Sequence, residues 1–222
     1  MEYLPAIEME APRHTPVTAS IIWLHGLGAD GSDFAAIVPQ LTLSESYGIR
    51  FVFPHAPSIP VSINNGYVMP AWYDIFSLDE NRDLSDEQLI ESAMKVQDLI
   101  DREIERGIDS RRIIVAGFSQ GGAVAYHAAL SYPEPLGGIV ALSTWFPTAN
   151  KFPISPANQR IPILICHGAR DPVVQETLGQ RSLAALRSLG LNPTYHSYAM
   201  EHSVCMEEIH DISGWFRKVL GS

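Results

Sequence analysis

Gly117-Phe118-Ser119-Gln120-Gly121 holds a serine with one glycine two positions before it and another two positions after it. The chemistry this pattern serves is attack of the Ser119 hydroxyl on a carbonyl carbon, provided a base takes its proton. An apolar run over 112–116 precedes the motif and a helical pattern over 122–131 follows it. This is the strand–turn–helix context a nucleophile on a sharp elbow requires. The turn brings flanking backbone close to its neighbours, where Cβ atoms would clash, and glycine answers that need. It also lifts Oγ above the sheet at a helix N-terminus, whose dipole favours developing negative charge. The plainer alternative is a glycine-rich strand–helix turn with a capping serine.

The base and its orienting acid follow such an elbow in the chain order Ser, acid, His. Only Asp171 and Asp211 are aspartates beyond Ser119, and only His196, His202 and His210 are histidines beyond Asp171. Asp171 lies just past the apolar run 163–166, in a loop at a strand's carboxyl end. Asp211 falls within a helical pattern and reads as a surface residue. Glu134, Glu176, Glu207 and Glu208 read as helix or helix-end residues. His196 sits inside a strand pattern and His210 inside the last helix, which leaves His202 as the loop base. His25, His55, His127 and His167 precede Asp171 and read as structural histidines. Activity is expected to fall as acid protonates the base.

A tetrahedral oxyanion needs hydrogen-bond donors. His25-Gly26-Leu27-Gly28 follows the run 21–24 and precedes a helical pattern. The backbone N–H groups of Leu27 and Gln120 are the expected pair. A phosphate loop is the alternative for this turn, but neither the dinucleotide fingerprint nor a P-loop Lys-Ser/Thr is present.

The elements that must position these groups alternate along the chain. Short β-branched runs at 21–24, 49–53, 113–116, 138–142 and 163–166 are bounded by Gly or Pro and predict strands buried on both faces of a parallel sheet. A more alternating strand is expected at 193–199 and an edge strand at 6–10. Helices are expected at 33–43, 86–106, 120–131, 176–189 and 205–220. For the second, Ser85 and Gln88 predict a capping box. The pattern implies an α/β fold with helices on both faces of a mainly parallel sheet, whose sites form at the strands' carboxyl ends. Residues 56–84 break the alternation. Loops this long are usually functional or disordered, and aromatics argue against disorder. This segment is expected to be an ordered substrate-binding insertion, with Met69, Trp72 and Phe76 as an acyl-binding wall or as anchors to the core.

The 222 residues carry no linker, repeat or low-complexity tract, so one domain over 1–222 is expected. A net charge of −10 argues against nucleic acid, which clustered Lys and Arg would bind. No signal peptide, lipidation signal or run of about 18 apolar residues is found, so no stable membrane anchor is expected. Two cysteines make no disulfide framework, and a cytoplasmic protein follows as the default.

Seven ordered motifs then resemble one family. They are His25-Gly26-Leu27-Gly28; Pro54-His55-Ala56-Pro57 with Pro60-Val61; Trp72-Tyr73-Asp74; residues 117–122; Leu142-Ser143-Thr144-Trp145; His167-Gly168 with Asp171-Pro172-Val173-Val174; and His202-Ser203-Val204-Cys205. Together they are similar to the carboxylesterase/acyl-protein thioesterase family of α/β-hydrolases, most of all its bacterial carboxylesterase branch. The resemblance implies a cofactor-free, metal-free serine esterase for short or medium acyl esters, with thioesters as a further substrate class. It places Ser119, Asp171 and His202 in a catalytic triad, Leu27 and Gln120 at the oxyanion hole, and Trp145 beside the acyl pocket. Relatives also act on lysophospholipids and S-acylated proteins, and some pair as homodimers. A peptidase or lactone hydrolase could use the same scaffold. A non-enzymatic binding protein is disfavoured by the complete Ser–Asp–His order. Glu201 stands where the family often has glycine, and a positive φ there would strain it.

Overall fold

The computed structural model describes residues 3–11, 14–43, 48–77, 83–149, 151 and 153–221. In chain order the strands are β1 (Ala6–Ala11), β2 (Val17–Leu24), β3 (Gly48–Pro54), β4 (Ser58–Val61), β5 (Tyr67–Pro70), β6 (Ile113–Phe118), β7 (Gly138–Leu142), β8 (Ile163–Gly168) and β9 (Thr194–Tyr198). The helices are α1 (Ser32–Ala35), α2 (Asp86–Glu105), α3 (Gln120–Ser131), α4 (Glu176–Ser188) and α5 (Met206–Leu220). Seven strands form one sheet in the order β1-β3-β2-β6-β7-β8-β9. All its pairs are parallel except the edge pair β1–β3. The expected α/β architecture is what the chain adopts.

Alternation along each strand divides the core into two layers. Ile22, Leu24, Ile113, Val115, Ile139 and Ile165 pack with Leu89, Val96, Ala125 and Leu186, so α2, α3 and α4 cover one face. Ile21, Trp23, Ile114, Ala116, Val140 and Leu164 pack with Phe34, Ile212 and Phe216, so α1 and α5 cover the other. Both faces are buried, which is why the strands read as continuous apolar runs.

Three expectations need correction. The helix expected over 33–43 shortens to α1 and a 3-10 turn, Val38–Gln40. Pro39 has no N–H to donate, so the α-helical bond to the Ala35 carbonyl cannot form. The Ser85 hydroxyl does accept from the Gln88 N–H, but Gln88 does not close the box. Its Oε1 accepts instead from the Asp74 N–H at 2.7 Å, tying the segment 56–77 to α2. That segment is no plain loop either. It folds as a β4–β5 hairpin with register Ser58 to Pro70 and Val61 to Tyr67, followed by a bridge from Ile75 to Leu84. Residues 78–82 of it lie outside the described residues.

Candidate active site

β6 ends at Phe118 and α3 begins at Gln120, so Ser119 takes the whole turn, with φ 53° and ψ −119°. Left-handed φ at a non-glycine residue is uncommon and costs on the order of 1–3 kcal/mol, which surrounding structure must offset. Here the Ser119 N–H donates to the Leu142 carbonyl at 2.9 Å, and the Thr144 hydroxyl donates to the Ser119 carbonyl at 2.6 Å. Both flanking glycines are required: a Cβ on Gly117 would stand 2.4 Å from the Gly121 carbonyl oxygen, and one on Gly121 2.5 Å from the His25 oxygen.

His202 reaches this hydroxyl from the loop between β9 and α5. Its Nε2 lies 3.0 Å from Ser119 Oγ and its Nδ1 lies 2.7 Å from Asp171 Oδ2. The Asp171 carboxylate is fully buried, and its Oδ1 accepts the Val173 and Val174 N–H groups, each at 2.8 Å. A carboxylate held this way presents a single oxygen to the imidazole, so the Nδ1–H tautomer is favoured and Nε2 is left as an acceptor facing the serine. The Phe118 ring packs against the imidazole with centroids 4.7 Å apart. His167 stands 3.7 Å from the same Asp171 oxygen but spends its Nε2–H on the Val174 carbonyl at 2.7 Å. Burial lowers its pKa, which keeps it neutral beside Asp171.

Leu27 and Gln120 both line the cavity in front of Ser119. Gln120 opens α3, so its N–H has no intrahelical acceptor. That of Leu27 finds no acceptor among the described residues. The cavity holds about 370 Å³ and is lined mostly by apolar groups, including Leu27, Ile63, Ile75, Trp145, Val173 and Val174. Among the described residues its polar or charged side chains are Ser119, Gln120, His202, Asp33 and the Trp145 indole.

Trp145 is on the cavity wall. The three residues expected from 56–84 are not. Trp72 is buried behind the site, its indole N–H donating to the His25 carbonyl at 2.9 Å. Phe76 is 54% exposed and is not among the residues that line the cavity. Met69 lies against the Gly28 turn and accepts from Asn64 through sulfur. The same segment does reach the cavity, through Ile63 and Ile75. Aliphatic residues there carried no distinguishing signal in the sequence; of the aromatics that did, Trp72 is an anchor and Phe76 is exposed.

Three further histidines have structural partners. His25 accepts the Ala56 N–H at 3.0 Å, and His55 accepts the Gly31 N–H at 3.1 Å. His196 pairs with Asp211 at 2.9 Å, and the Tyr198 hydroxyl donates to the same carboxylate at 2.8 Å. Asp211 is thus half-buried and partnered rather than a plain surface residue. Glu201 does not occupy the left-handed region, so no strain attends the missing glycine. The close approach in this loop falls on Gly168 instead, where a Cβ would meet the Glu201 carbonyl oxygen at 2.3 Å.

A model of the phospholipase/carboxylesterase family matches residues 5–220. The chain belongs to that family. It is 39% identical to acyl-protein thioesterase 1 of Cryptococcus neoformans, over 91% of this chain and 93% of the relative. The crystal structure of Arabidopsis thaliana SOBER1 superposes with a TM-score of 0.85 at 33% identity, covering 91% of this chain and 99% of that one. Zea mays acyl-protein thioesterase 2 gives 0.82 at 31% identity, covering 98% of this chain and all of the other. The fold is that of the α/β-hydrolases, and the family's chemistry makes this chain a hydrolase of ester and thioester bonds acting on acyl substrates.

Proposed function

We propose that Ser119, His202 and Asp171 form the catalytic triad of this hydrolase and that its substrates are short to medium acyl esters and thioesters. The observation that carries the reading is one continuous line of contacts, Asp171 to His202 to Ser119, opening into an apolar cavity. The acyl chain lies along Ile63, Ile75, Trp145 and Val173. Ser119 Oγ attacks the carbonyl carbon while His202 Nε2 takes its proton. The carbonyl π pair becomes an oxyanion, held by the N–H groups of Leu27 and Gln120. As the tetrahedral intermediate collapses, the bond to the alcohol or thiol breaks and Nε2 returns the proton to it. Water, deprotonated by the same Nε2, then releases the carboxylate and restores Ser119.

Residues 1–222 act in this reading as one catalytic unit, with the β4–β5 segment contributing part of the acyl wall. The natural carriers of the acyl group are lysophospholipids or S-acylated proteins, the second favoured by the relatives' thioesterase names. Among the described residues no helix is long and apolar enough to cross a membrane, and Cys166 and Cys205 are free thiols, as a cytoplasmic setting allows. The test is a series of paired oxygen and sulfur esters of increasing acyl length, with fluorophosphonate labelling of the wild type and Ser119→Ala. Turnover of both classes and labelling that requires Ser119 are expected. Labelling of Ser119→Ala at the wild-type rate refutes the assignment.

A further inference from the structure

The two N–H groups facing the oxyanion come from turns 93 positions apart, which follow the paired strands β2 and β6 and meet where Gly121 backs onto the His25 carbonyl. A third segment, Pro70–Tyr73 by position 70–73, grips both. Toward the first turn, the Trp72 indole N–H donates to the His25 carbonyl at 2.9 Å, and the Gly28 N–H donates to the Pro70 carbonyl at 2.8 Å. Leu27 is thereby bracketed on both sides. Toward the elbow, the Trp72 backbone N–H donates to Gln120 Oε1 at 2.8 Å, and Gln120 Nε2 donates to the Tyr73 carbonyl at 2.6 Å. The Ser92 hydroxyl of α2 donates to the Trp72 carbonyl, anchoring the segment to a long helix. His25, Trp72 and Gln120 are each exposed by 1%. Hydrogen bonds in so dry a setting are costly to leave unmade and hold their geometry.

We propose that the side chains of Trp72 and Gln120 are positioning residues for the oxyanion hole, setting the distance between the Leu27 and Gln120 amides. The inference rests on the assignment of those two amides above. Preorganised donors stabilise the oxyanion only if they already stand where it forms. The reading gives the hairpin segment a role beyond lining the cavity: its buried tryptophan spans the two halves of the site. Trp72 does not line the cavity, and both ends of the Gln120 amide are taken up by the Trp72 N–H and the Tyr73 carbonyl. Loss of either contact therefore acts on the transition state and leaves acyl binding in place.

Two variants separate this from general destabilisation. Trp72→Phe keeps an aromatic ring but removes the donor to His25, and Gln120→Glu keeps an acceptor for the Trp72 N–H but removes the donor to Tyr73. Each is measured for kcat and KM on an octanoyl ester. Each is also measured for inhibition by octyl trifluoromethyl ketone, which adds Ser119 Oγ to give an oxyanion, and by the corresponding methyl ketone, which fills the acyl cavity without that charge. The fraction of competent protein is titrated with a fluorophosphonate. A drop in kcat of about 10- to 100-fold is expected, with KM changed less than about 3-fold. Trifluoromethyl ketone affinity should fall in parallel with kcat/KM while methyl ketone affinity holds. Wild-type kcat and trifluoromethyl ketone affinity in both variants overturns the proposal, as does an equal loss for both ketones. If the wild type binds the two ketones equally, or Ser119→Ala still turns over, the triad and its oxyanion hole are what fail.

Discussion

Ser119 Oγ and His202 Nε2 meet at 3.0 Å across 83 positions of sequence. The contact exists because β6 and β9 run parallel in one sheet and release their following loops at the same edge. Removing either partner abolishes the proton transfer. Ser119→Ala and His202→Ala are each expected to lower kcat by about 10⁴-fold or more. Wild-type turnover should also decline on acidification, because a protonated Nε2 cannot accept the serine proton. Initial rates of ester hydrolysis from pH 5 to 9 check both; a His202→Ala rate equal to wild type would falsify the assignment.

Asp171 offers one oxygen to two backbone N–H groups and the other to His202. Asp171→Asn preserves the shape, yet its amide either faces Nδ1 with a donor or loses the two backbone bonds. Orientation of the wrong tautomer in such triads costs about 10⁴ in kcat. The expected result is a loss of that order with KM nearly unchanged. A loss under tenfold would show that Asp171 does not set the imidazole's tautomer.

The cavity wall makes a prediction about chain length. Ile75 lines it, whereas Phe76 next to it points to solvent. Ile75→Phe adds bulk inside a cavity of about 370 Å³ and should lower kcat/KM for octanoyl esters at least several-fold relative to acetyl esters. Phe76→Ala and Met69→Ala should leave the octanoyl-to-acetyl ratio within about twofold, since exposed or unrelated positions exert small effects. Profiles that move with Phe76 and not with Ile75 would place the acyl chain elsewhere.

What could be read from the sequence follows from how each feature is encoded. The sheet was legible because strands buried on both faces show as β-branched runs. Their carboxyl ends were less so: β6 and β8 continue through Gly117-Phe118 and His167-Gly168, residues with no strand signature. The residues that meet as Ser119, His202 and Asp171 were legible because chain order left few candidates, and order does not depend on packing. The β4–β5 hairpin was not, since Pro60 and Pro70 disguise strands that pair only with each other. Thr144, which steadies the Ser119 carbonyl, and Phe118, which packs on His202, had no local signal apart from the motifs around them. Glu201 shows the converse. A departure from a family pattern suggested strain, and the structure moves the steric demand to Gly168 on the facing strand.

Glu208 was equally illegible, because a carboxylate on a helix is almost never fully buried. It lies in the first turn of α5, six positions past His202, with no exposure and with both oxygens lacking a hydrogen-bond partner among the described residues. Burial pushes its pKa up from the ordinary 4.5 to about 8; the Cys205 amide it faces opposes the shift in part, and the charge of Asp211 adds to it. The folded protein thus keeps a proton between those pH values that the unfolded chain releases. Stability held at low pH is lost as the pH rises through this window and is gone above about 8. A shift of that size corresponds to at most roughly 5 kcal/mol, and each kcal/mol moves the melting temperature of a chain this long by about 2–4 °C. Glu208→Gln cannot ionise. Its melting temperature relative to wild type should therefore climb by several degrees between pH 5 and pH 9, with most of the change before pH 8. Scanning calorimetry of both proteins across that range decides the matter. Parallel curves would mean that Glu208 is ionised in the folded protein, with water or a rearranged loop 202–205 solvating it.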